Sequence, residues 1–504
     1  MKKLWLVLLS LGLVMAFSVS AFAVDVKVGA EYFVGGLYLK SIAVDNGFES
    51  WAGDTGSHNP STAFFFQRLR VGTDFIVSPC LKLVTRITAM ERIWGGERSE
   101  AGGSWPENTI TSNTGGTAGT RAESENIAFD LVYIDYTSPV GLFRVGYMPD
   151  YTWGTVFNDR STGMPSGQIM YAVPIGPVNL ILDYSKEYDN SFSAVNSSSY
   201  SAYRTDRDLD SYRIAGIYNF KGGEAGALFL WNRDATHRGW GMTGTFPFDA
   251  AFPYSSNIFV IDPYVKAKIG PVTLQAEAQY WFGNALKYEY GLGGSPLGGG
   301  YYMNDVSVSA ISAFVDATAN FGMFYFGGSF AYLSGDDHGT SDKVEGSGSA
   351  GMVNTGGLDW NPCLILFNNE LNYWAGDVYG HTNTVVNSEM SNAWFGQLRA
   401  GVKPTPQLDV MLAVSYAQAD KKLANYTSAT LGFYGPYVTS PGGTYGTEVD
   451  LTANYKITNN LTYMLGAGYL FTGDYFKGKD NNQRAGNADV QDDFILLNKL
   501  TLSF

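Results

Sequence analysis

The chain has 504 residues, with 33 basic and 47 acidic side chains and a formal net charge of −14. This excess of negative charge argues against nucleic acid as a partner, because polyanions are bound through positive charge. Glycine, tyrosine and phenylalanine are abundant, and after the first 23 residues no apolar run reaches the ~20 residues of a membrane-spanning helix.

The first 23 residues have the order of a secretory signal. Two lysines precede an apolar run, which ends in a small-x-small cleavage site at Ala21-Phe22-Ala23. We therefore expect residues 1–23 to be a signal peptide and residues 24–504 to form a single transmembrane β-barrel. A retained membrane anchor is the alternative, and the abrupt change in composition after the cleavage site argues against it.

After the signal, the chain alternates between amphipathic strands and tight turns. Polar and apolar residues alternate with the period of two that puts successive side chains on opposite faces of a strand, and Gly, Pro or Asn stand between paired segments as in β-hairpins. The pattern predicts eight hairpins, hence sixteen strands. Their turns are expected at Ser78-Pro79-Cys80, Ser138-Pro139, Pro174-Ile175-Gly176-Pro177, Lys221-Gly222-Gly223, Ile269-Gly270-Pro271, Asn320-Phe321-Gly322, Pro404-Thr405-Pro406 and Thr458-Asn459-Asn460.

One further strand is predicted before the hairpins, at residues 26–42, and one after them, at residues 494–504. The total of about eighteen is even, as in bacterial single-chain barrels. Long polar connections separate the hairpins, so short turns are expected in the periplasm with both termini, and long loops outside. The fold class expected is all-β: an antiparallel up-and-down barrel in the outer membrane of a Gram-negative bacterium. A secreted all-β protein is the alternative.

The last strand ends on an aromatic residue, Phe504. This strand is expected to pair with the first one, because closure removes both sheet edges. The terminal aromatic resembles the C-terminal insertion signal of bacterial outer-membrane proteins. That resemblance implies the barrel insertion machinery as a partner.

Two stretches resemble known porins. Residues 446–476 resemble the C-terminal hairpin of alginate-export-type porins in their G-T-E-x-D-L opening and G-D-x-F close, and residues 129–150 resemble a strand pair of general Gram-negative porins. The resemblance implies an outer-membrane channel, with an anionic polymer among its candidate solutes. The alginate-type channel is lined by many arginines, whereas the strands here carry fewer basic residues, interspersed with acidic ones.

Charged residues inside the strands are expected to face the lumen, because a charge on the lipid face costs about 2–4 kcal/mol at the bilayer midplane. Basic residues of the early strands then form one wall, and acidic residues of later strands form another. Solute screening is the expected role, and mutual neutralisation of these charges is the alternative. The predicted pore-lining residues are Arg68, Arg70, Asp74, Lys82, Arg86, Arg144, Lys266, Lys268, Glu277, Arg399, Glu448 and Asp450.

The longest connection, residues 335–391, contains a stretch at 358–376 that is too apolar for a solvated loop. We expect a short helix there, capped by Asp359 or Asn361, with Pro362 in its first turn. Folding into the barrel as a constriction would bury the apolar side chains, whereas a trimer contact or a cap on the rim are the alternatives. The predicted constriction residues are Trp360, Leu364, Leu366, Phe367, Tyr373 and Trp374.

The sequence offers little for catalysis or metal binding. Its four histidines lack the spacing of a zinc site, and we expect no enzyme activity, no metal and no cofactor. Cys80 and Cys363 leave two alternatives open, a disulfide formed after export or two free thiols.

The function expected is that of a porin for passive diffusion of small hydrophilic or charged solutes. Outer-membrane lipid, lipopolysaccharide, small solutes or an anionic polymer, and two further copies of the chain in a homotrimer are the expected partners. The alternative is a barrel sleeve that surrounds a polymer-export machine or an electron-transfer cytochrome.

Overall fold

The computed structural model describes residues 24–44, 61–95, 127–150, 152–159, 165–189, 207–237, 254–288, 305–337, 340, 342–346, 355–380, 384–422, 438–477, 479–480 and 490–504. The predicted signal peptide lies outside these ranges. Eighteen long strands form one sheet. They are β1 (Asp25–Leu39), β2 (Thr62–Ser78), β3 (Leu81–Ile93), β4 (Ile127–Ser138), β5 (Gly141–Pro149), β6 (Pro165–Ile175), β7 (Val178–Asp189), β8 (Asp208–Phe220), β9 (Gly223–Asp234), β10 (Tyr254–Ile269), β11 (Val272–Tyr288), β12 (Val306–Phe321), β13 (Phe324–Leu333), β14 (Ala393–Thr405), β15 (Leu408–Ala419), β16 (Thr444–Lys456), β17 (Leu461–Thr472) and β18 (Asp493–Ser503).

The sheet closes on itself. Each long strand pairs antiparallel with the next one along the chain, and β18 pairs with β1 from Glu31↔Ser503 to Leu39↔Ile495. Phe504 extends this seam, since its backbone N–H and C=O both bond to Ala30. The prediction of a closed antiparallel up-and-down barrel of about eighteen strands is confirmed.

Short turns and long connections occupy opposite rims of the barrel. The eight short turns fall where the sequence predicts them, and nine longer connections join the strands at the other end. Gly176, Gly270 and Gly322 adopt φ values near +60° within the turns, a conformation that costs other residues about 1–2 kcal/mol. We call the two ends the turn rim and the loop rim.

The outer face of the barrel is apolar. On β4, Val132, Ile134 and Tyr136 are each more than 40% exposed, while Leu131 and Asp135 on the opposite face are buried. Strands in water would not leave such rows of apolar side chains uncovered. The outer surface therefore has the character of the lipid-facing band of a membrane barrel.

Aromatic rings form a row on the outer face near the loop rim. Ring centroids are 5.3 Å apart between Tyr184 and Tyr212 and 5.0 Å apart between Tyr212 and Trp231. The row continues to Phe259 at 6.2 Å and to Phe282 at 5.4 Å, so that it crosses β7 to β11. Such a girdle is typical of a membrane–water boundary.

The remaining elements lie in the connections at the loop rim. Lys343–Val344 pairs parallel with β12, Thr152–Trp153 pairs with Asn158–Asp159, and Val438–Thr439 pairs with Lys479–Asp480. Helix α1 spans Asn369–Ala375, and a short 3-10 helix spans Asp474–Phe476. Among the described residues, no helix has the length and hydropathy required to cross a membrane.

Candidate functional site: the lumen and its inward segments

Alternate residues of the barrel strands face the interior. The register carries this face from strand to strand: Asp135 pairs with Arg144, and Ser415 pairs with Glu448. The structure places all the predicted pore-lining residues on the interior face, namely Arg68, Arg70, Asp74, Lys82, Arg86, Arg144, Lys266, Lys268, Glu277, Arg399, Glu448 and Asp450. Whether they contact a solute stays a prediction.

The cations of β2, β3 and β5 meet carboxylates on the same wall. Most of these groups keep partial contact with solvent; the Lys82 and Arg144 side chains are 38% and 30% exposed. The closest pairs are Arg68–Glu91 at 3.4 Å, Lys82–Asp74 at 3.1 Å, Arg86–Asp130 at 3.0 Å and Arg144–Asp135 at 2.6 Å. This side of the lumen therefore carries both signs of charge in close alternation.

Arg70 differs from its neighbours. Within the described part of the chain, its guanidinium makes no ion pair within 4.0 Å, and its Nε, like that of Arg68, has no hydrogen-bond partner. Arg68, one interior position away, is paired with Glu91 and lies over the Phe33 ring at 4.9 Å. Arg70 is thus the arginine of this wall whose charge is not matched by a contacting carboxylate.

Asp130 was missed by the alternation rule. The register shifts between Arg86 and Ile87 opposite Leu131 and Phe129, so that Asp130 forms a bulge. The bulge lets its carboxylate accept bonds from Arg86 at 3.0 Å and from the Thr88 hydroxyl at 2.8 Å. Period-two counting cannot find such a residue, because a bulge re-aims one side chain outside the pattern.

The long inward segment, residues 355–380 and 384–392, packs against the interior wall. Trp374 contacts Phe33 of β1 and Phe66 of β2, with ring centroids 5.9 Å and 4.5 Å apart. Near its other end, Trp360 lies 5.3 Å from Phe314 of β12. The segment therefore extends between two different parts of the wall.

Most of the predicted constriction residues are buried in this packing. Leu366, Phe367 and Trp374 are at most 3% exposed, and Trp360 and Leu364 are partly buried against the same cluster. Tyr373 departs from the expectation because it is 40% exposed. Its ring meets the Trp374 ring in a T-shaped contact, with centroids 5.2 Å apart.

The helix in this segment begins later than predicted. Asn368 is the N-cap of α1, and its side chain accepts a bond from the Leu371 N–H. The same amide donates to the Cys363 and Leu364 carbonyls. Asp359 and Asn361 were wrong as caps, because Asn368 is the side chain that satisfies both the helix start and the turn before it.

A second segment enters the lumen that the sequence analysis did not identify. In the short inward segment, residues 152–159, the Trp153 ring lies 5.1 Å from Tyr264 and its N–H donates to the Asp262 carbonyl at 3.0 Å. Phe157 is 2% exposed. The signal available in the sequence was a group of apolar side chains in a short polar connection, namely Trp153, Val156 and Phe157. Apolar side chains also indicated burial of the longer loop.

The two inward segments touch each other. The Gly357 N–H donates to the Val156 carbonyl at 2.8 Å, and the Trp360 and Phe157 rings are 6.2 Å apart. Both segments belong to one hydrophobic cluster that includes residues from β1, β2, β12, β14, β17 and β18. Part of the lumen is therefore a packed core.

The acidic wall differs from the prediction. Glu448 is 0% exposed, Glu277 3% and Asp450 4%. Glu448 accepts bonds from the Ile365 and Leu366 N–H groups, both at 2.7 Å, and Asp450 accepts one from Leu364 at 3.3 Å. These carboxylates were expected to face water, but they are covered by the segment whose backbone they bind.

Glu277 holds the short inward segment in the same way. Its Oε2 accepts bonds from the Thr155 and Val156 N–H groups and from the Thr155 hydroxyl at 2.6 Å. Gly154, with φ +73°, lies so close that a Cβ there would be 2.5 Å from Glu277 Oε1. Only glycine fits this approach without displacing the carboxylate.

Both cysteines are free thiols. Cys80 is exposed in the turn between β2 and β3, and Cys363 is buried in the long inward segment. Burial raises the pKa of the Cys363 thiol, and the nearby carboxylates of Glu448 and Asp450 raise it further. Of the two alternatives, the unpaired state is the one observed.

The described residues contain no group of three or more His, Cys, Asp or Glu side chains placed to hold a metal ion. His237 stacks on Tyr254 with ring centroids 4.6 Å apart. The other three histidines, at positions 58, 338 and 381, lie outside the described residues.

Comparison with known proteins finds similarity only among solved structures, and at low sequence identity. No protein-family model and no curated protein matches it. OccK9 (OpdG) of Pseudomonas aeruginosa is 12% identical with a TM-score of 0.45 over 95% of this chain and 99% of that one. The outer membrane channel DcaP of Acinetobacter baumannii is 14% identical (TM-score 0.40, 96% and 99%), and an anion-selective porin of Comamonas acidovorans is 9% identical (0.41, 95% and 99%). The solved structures similar to this chain thus include outer-membrane porins.

Proposed function

We propose that this chain is an outer-membrane channel for passive diffusion of small hydrophilic or charged solutes. The observation that carries the proposal is a closed eighteen-strand wall with an apolar outside and a charged inside. A closed barrel satisfies all backbone hydrogen bonds in lipid, and eighteen strands enclose more space than wall side chains fill. The exposed charged groups of the interior then line a water path.

The path is proposed to follow the wall from β2 to β5. There the interior side chains of Lys82 and Arg144 are 38% and 30% exposed. On β16, by contrast, Glu448 is sealed beneath the long inward segment. The two inward segments narrow the lumen from the other side, so that the channel is restricted to small solutes.

The charge of the path is mixed, and Arg70 is its proposed point of selectivity. Because the other arginines of this wall are paired with carboxylates, their fields are largely neutralised at short range. An unmatched guanidinium attracts anions and presents donors to carboxylates or phosphates. A small anionic solute is therefore the charged class that this wall favours.

The sleeve receives less support from this geometry. A sleeve needs an open lumen for a folded partner, and here the chain's own segments form a hydrophobic cluster within it. Trimer formation, lipopolysaccharide binding and recognition of Phe504 by an insertion machinery stay predictions. So does the likeness to alginate-export channels.

Single-channel recording tests the proposal. The purified protein, shown to be folded by its heat-modifiable migration on a gel, is reconstituted in a planar bilayer, and heat-unfolded protein is the control. Discrete current steps are expected. Liposome swelling with uncharged sugars of increasing size is expected to stop at small sugars. Folded protein without current steps would contradict the channel.

A further inference from the structure

Each inward segment is anchored by a pair of acidic residues. The short segment binds Glu277, which lies beside Asp262, and the long segment binds Glu448, which lies beside Asp450. In each pair the two carboxyl groups are within hydrogen-bonding reach of one another. The wall thus uses the same arrangement twice, on β10–β11 and on β16.

The arrangement leaves particular oxygens without donors. Asp262 Oδ1, Glu277 Oε1 and Asp450 Oδ1 are buried and accept no hydrogen bond in the described structure. None of the four carboxyl groups has a described Lys, Arg or His within 4.0 Å. Two adjacent buried carboxylates without a cation repel each other strongly, and a single proton between them removes the repulsion and satisfies the orphaned oxygens.

Each segment also supplies backbone N–H groups that stabilise one negative charge. Three consecutive backbone N–H groups, of Leu364, Ile365 and Leu366, point at the Glu448–Asp450 pair. Successive N–H groups of this kind form an anion-binding nest. A pair with one proton and one charge therefore matches its segment, whereas a pair with two charges does not.

We propose that these two acidic pairs are positioning residues that hold the constriction in the lumen through one shared proton per pair. When hydroxide in the lumen takes that proton as water, the pair carries two negative charges. It then gains more from hydration than from the segment's N–H groups, and the segment lifts from the wall. The channel is consequently wider in alkaline solution than in neutral solution.

Among the described residues, few other titratable groups face the pairs. Tyr264 faces Asp262 and Glu277, and its hydroxyl donates to Glu224 at 3.1 Å. The Cys363 thiol faces Glu448 and Asp450. Both are neutral near pH 7, and their own ionisation would add negative charge in the same direction. The hydrogen bond from Gly357 to Val156 couples the two segments.

The test compares wild type with the variants Asp262→Asn, Asp450→Asn and their combination. Asparagine keeps a hydrogen bond to the neighbouring glutamate but cannot acquire the second charge. Asp316→Asn is the matched control, because Asp316 is a buried interior carboxylate paired with Arg399 at 2.6 Å. Heat-modifiable migration establishes that each variant folds.

Single-channel conductance is measured between about pH 6 and about pH 10, a range that brackets ionisation of a carboxyl that shares its proton. Wild type and the Asp316 variant are expected to gain about twofold or more in conductance as the segments leave the pore. The double variant is expected to stay constant. A flat wild-type response, or a double variant that rises with wild type, would overturn the proposal.

The conductance readout rests on the proposed channel, so a second readout is independent of it. Amide hydrogen exchange at residues 155–157 and 364–366 is compared between wild type and the double variant at each pH. Wild type is expected to lose protection relative to the variant in alkaline solution. Absence of current in every sample would count against the channel alone. Equal protection at all pH values would count against the shared proton.

Discussion

The basic wall on β2, β3 and β5 and the acidic positions on β11 and β16 look alike in the sequence. Both are charges that alternate with apolar residues, and both lie on the interior face. In the structure they differ: Lys82 and Arg144 keep contact with solvent beside paired carboxylates, whereas Glu277 and Glu448 are buried against loop backbone. Alternation thus determines the face of a strand, but the connections determine whether that face meets water.

The largest expected effect comes from removing the aromatic anchor of the long inward segment. Trp374→Ala deletes a side chain that is 2% exposed and packed on two phenylalanines, which costs about 3–5 kcal/mol. The segment is then expected to leave the wall, and conductance is expected to rise and fluctuate. Trp394→Ala is the control, because Trp394 is 46% exposed on the outer face. Equal conductance changes in both variants would show that the long inward segment does not restrict the pore.

A smaller effect is expected from the acidic anchor itself. In wild type, the two Glu448 oxygens accept bonds from two backbone N–H groups. In Glu448→Gln, an NH₂ group replaces one of these oxygens and leaves one buried N–H without an acceptor, which costs about 1–3 kcal/mol. Urea unfolding followed by tryptophan fluorescence is expected to show a lower midpoint. Arg86→Gln is expected to lose less, because Asp130 keeps the bond from Thr88. A larger drop in the unfolding midpoint for Arg86→Gln than for Glu448→Gln would show that the ion pairs of the basic wall contribute more to stability than the acidic anchor.

Selectivity is expected to depend on Arg70 more than on Arg68. Arg70→Gln removes an unmatched positive charge, so the reversal potential in a salt gradient is expected to shift towards cations. Arg68→Gln is expected to shift it less, because the Arg68 guanidinium is already engaged by Glu91 at 3.4 Å and is less available to a passing anion. Reversal-potential shifts of the same size in both variants would show that ion pairing does not screen the charges of this wall.

The smallest effect is expected at the exposed contact between helix α1 and the wall. Lys499 of β18 lies 2.8 Å from Glu370, whose side chain is 48% exposed. Exposed pairs contribute at most about 1 kcal/mol and are screened by salt. Glu370→Gln is expected to change conductance slightly at low salt and not at high salt. A large effect at high salt would mean that this pair anchors the segment.

The barrel itself was predictable because its signals are local. Turn residues such as Gly270 and Gly322 fix the hairpins, and period-two alternation fixes each strand's two faces. The even strand count then requires β18 to meet β1. These features depend on neighbouring residues and on closure, both of which a single sequence shows.

The site was predictable only in part, because burial of a wall side chain beneath an inward segment depends on residues far apart in the sequence. The apolar stretch of residues 358–376 indicated burial, but nothing in it indicated Glu448 as its anchor. The carboxylate of Asp130 depends on a bulge, and the role of Glu277 depends on a segment more than a hundred residues away in the chain. The contacts of Glu277 and Glu448 arise between elements that are not paired in the sheet, so strand pattern cannot reveal them.

Cysteine accessibility tests the difference between the walls most directly. Val84→Cys on β3 and Ser415→Cys on β15 are made in a Cys80→Ser background, since Cys80 is exposed. Val84 shares the interior face with Asp74, and Ser415, 1% exposed, pairs with Glu448. A charged, membrane-impermeant thiol reagent added during recording is expected to reduce the current through the Val84 variant and to leave the Ser415 variant unchanged. Block of the Ser415 variant without block of the Val84 variant would contradict the proposed path.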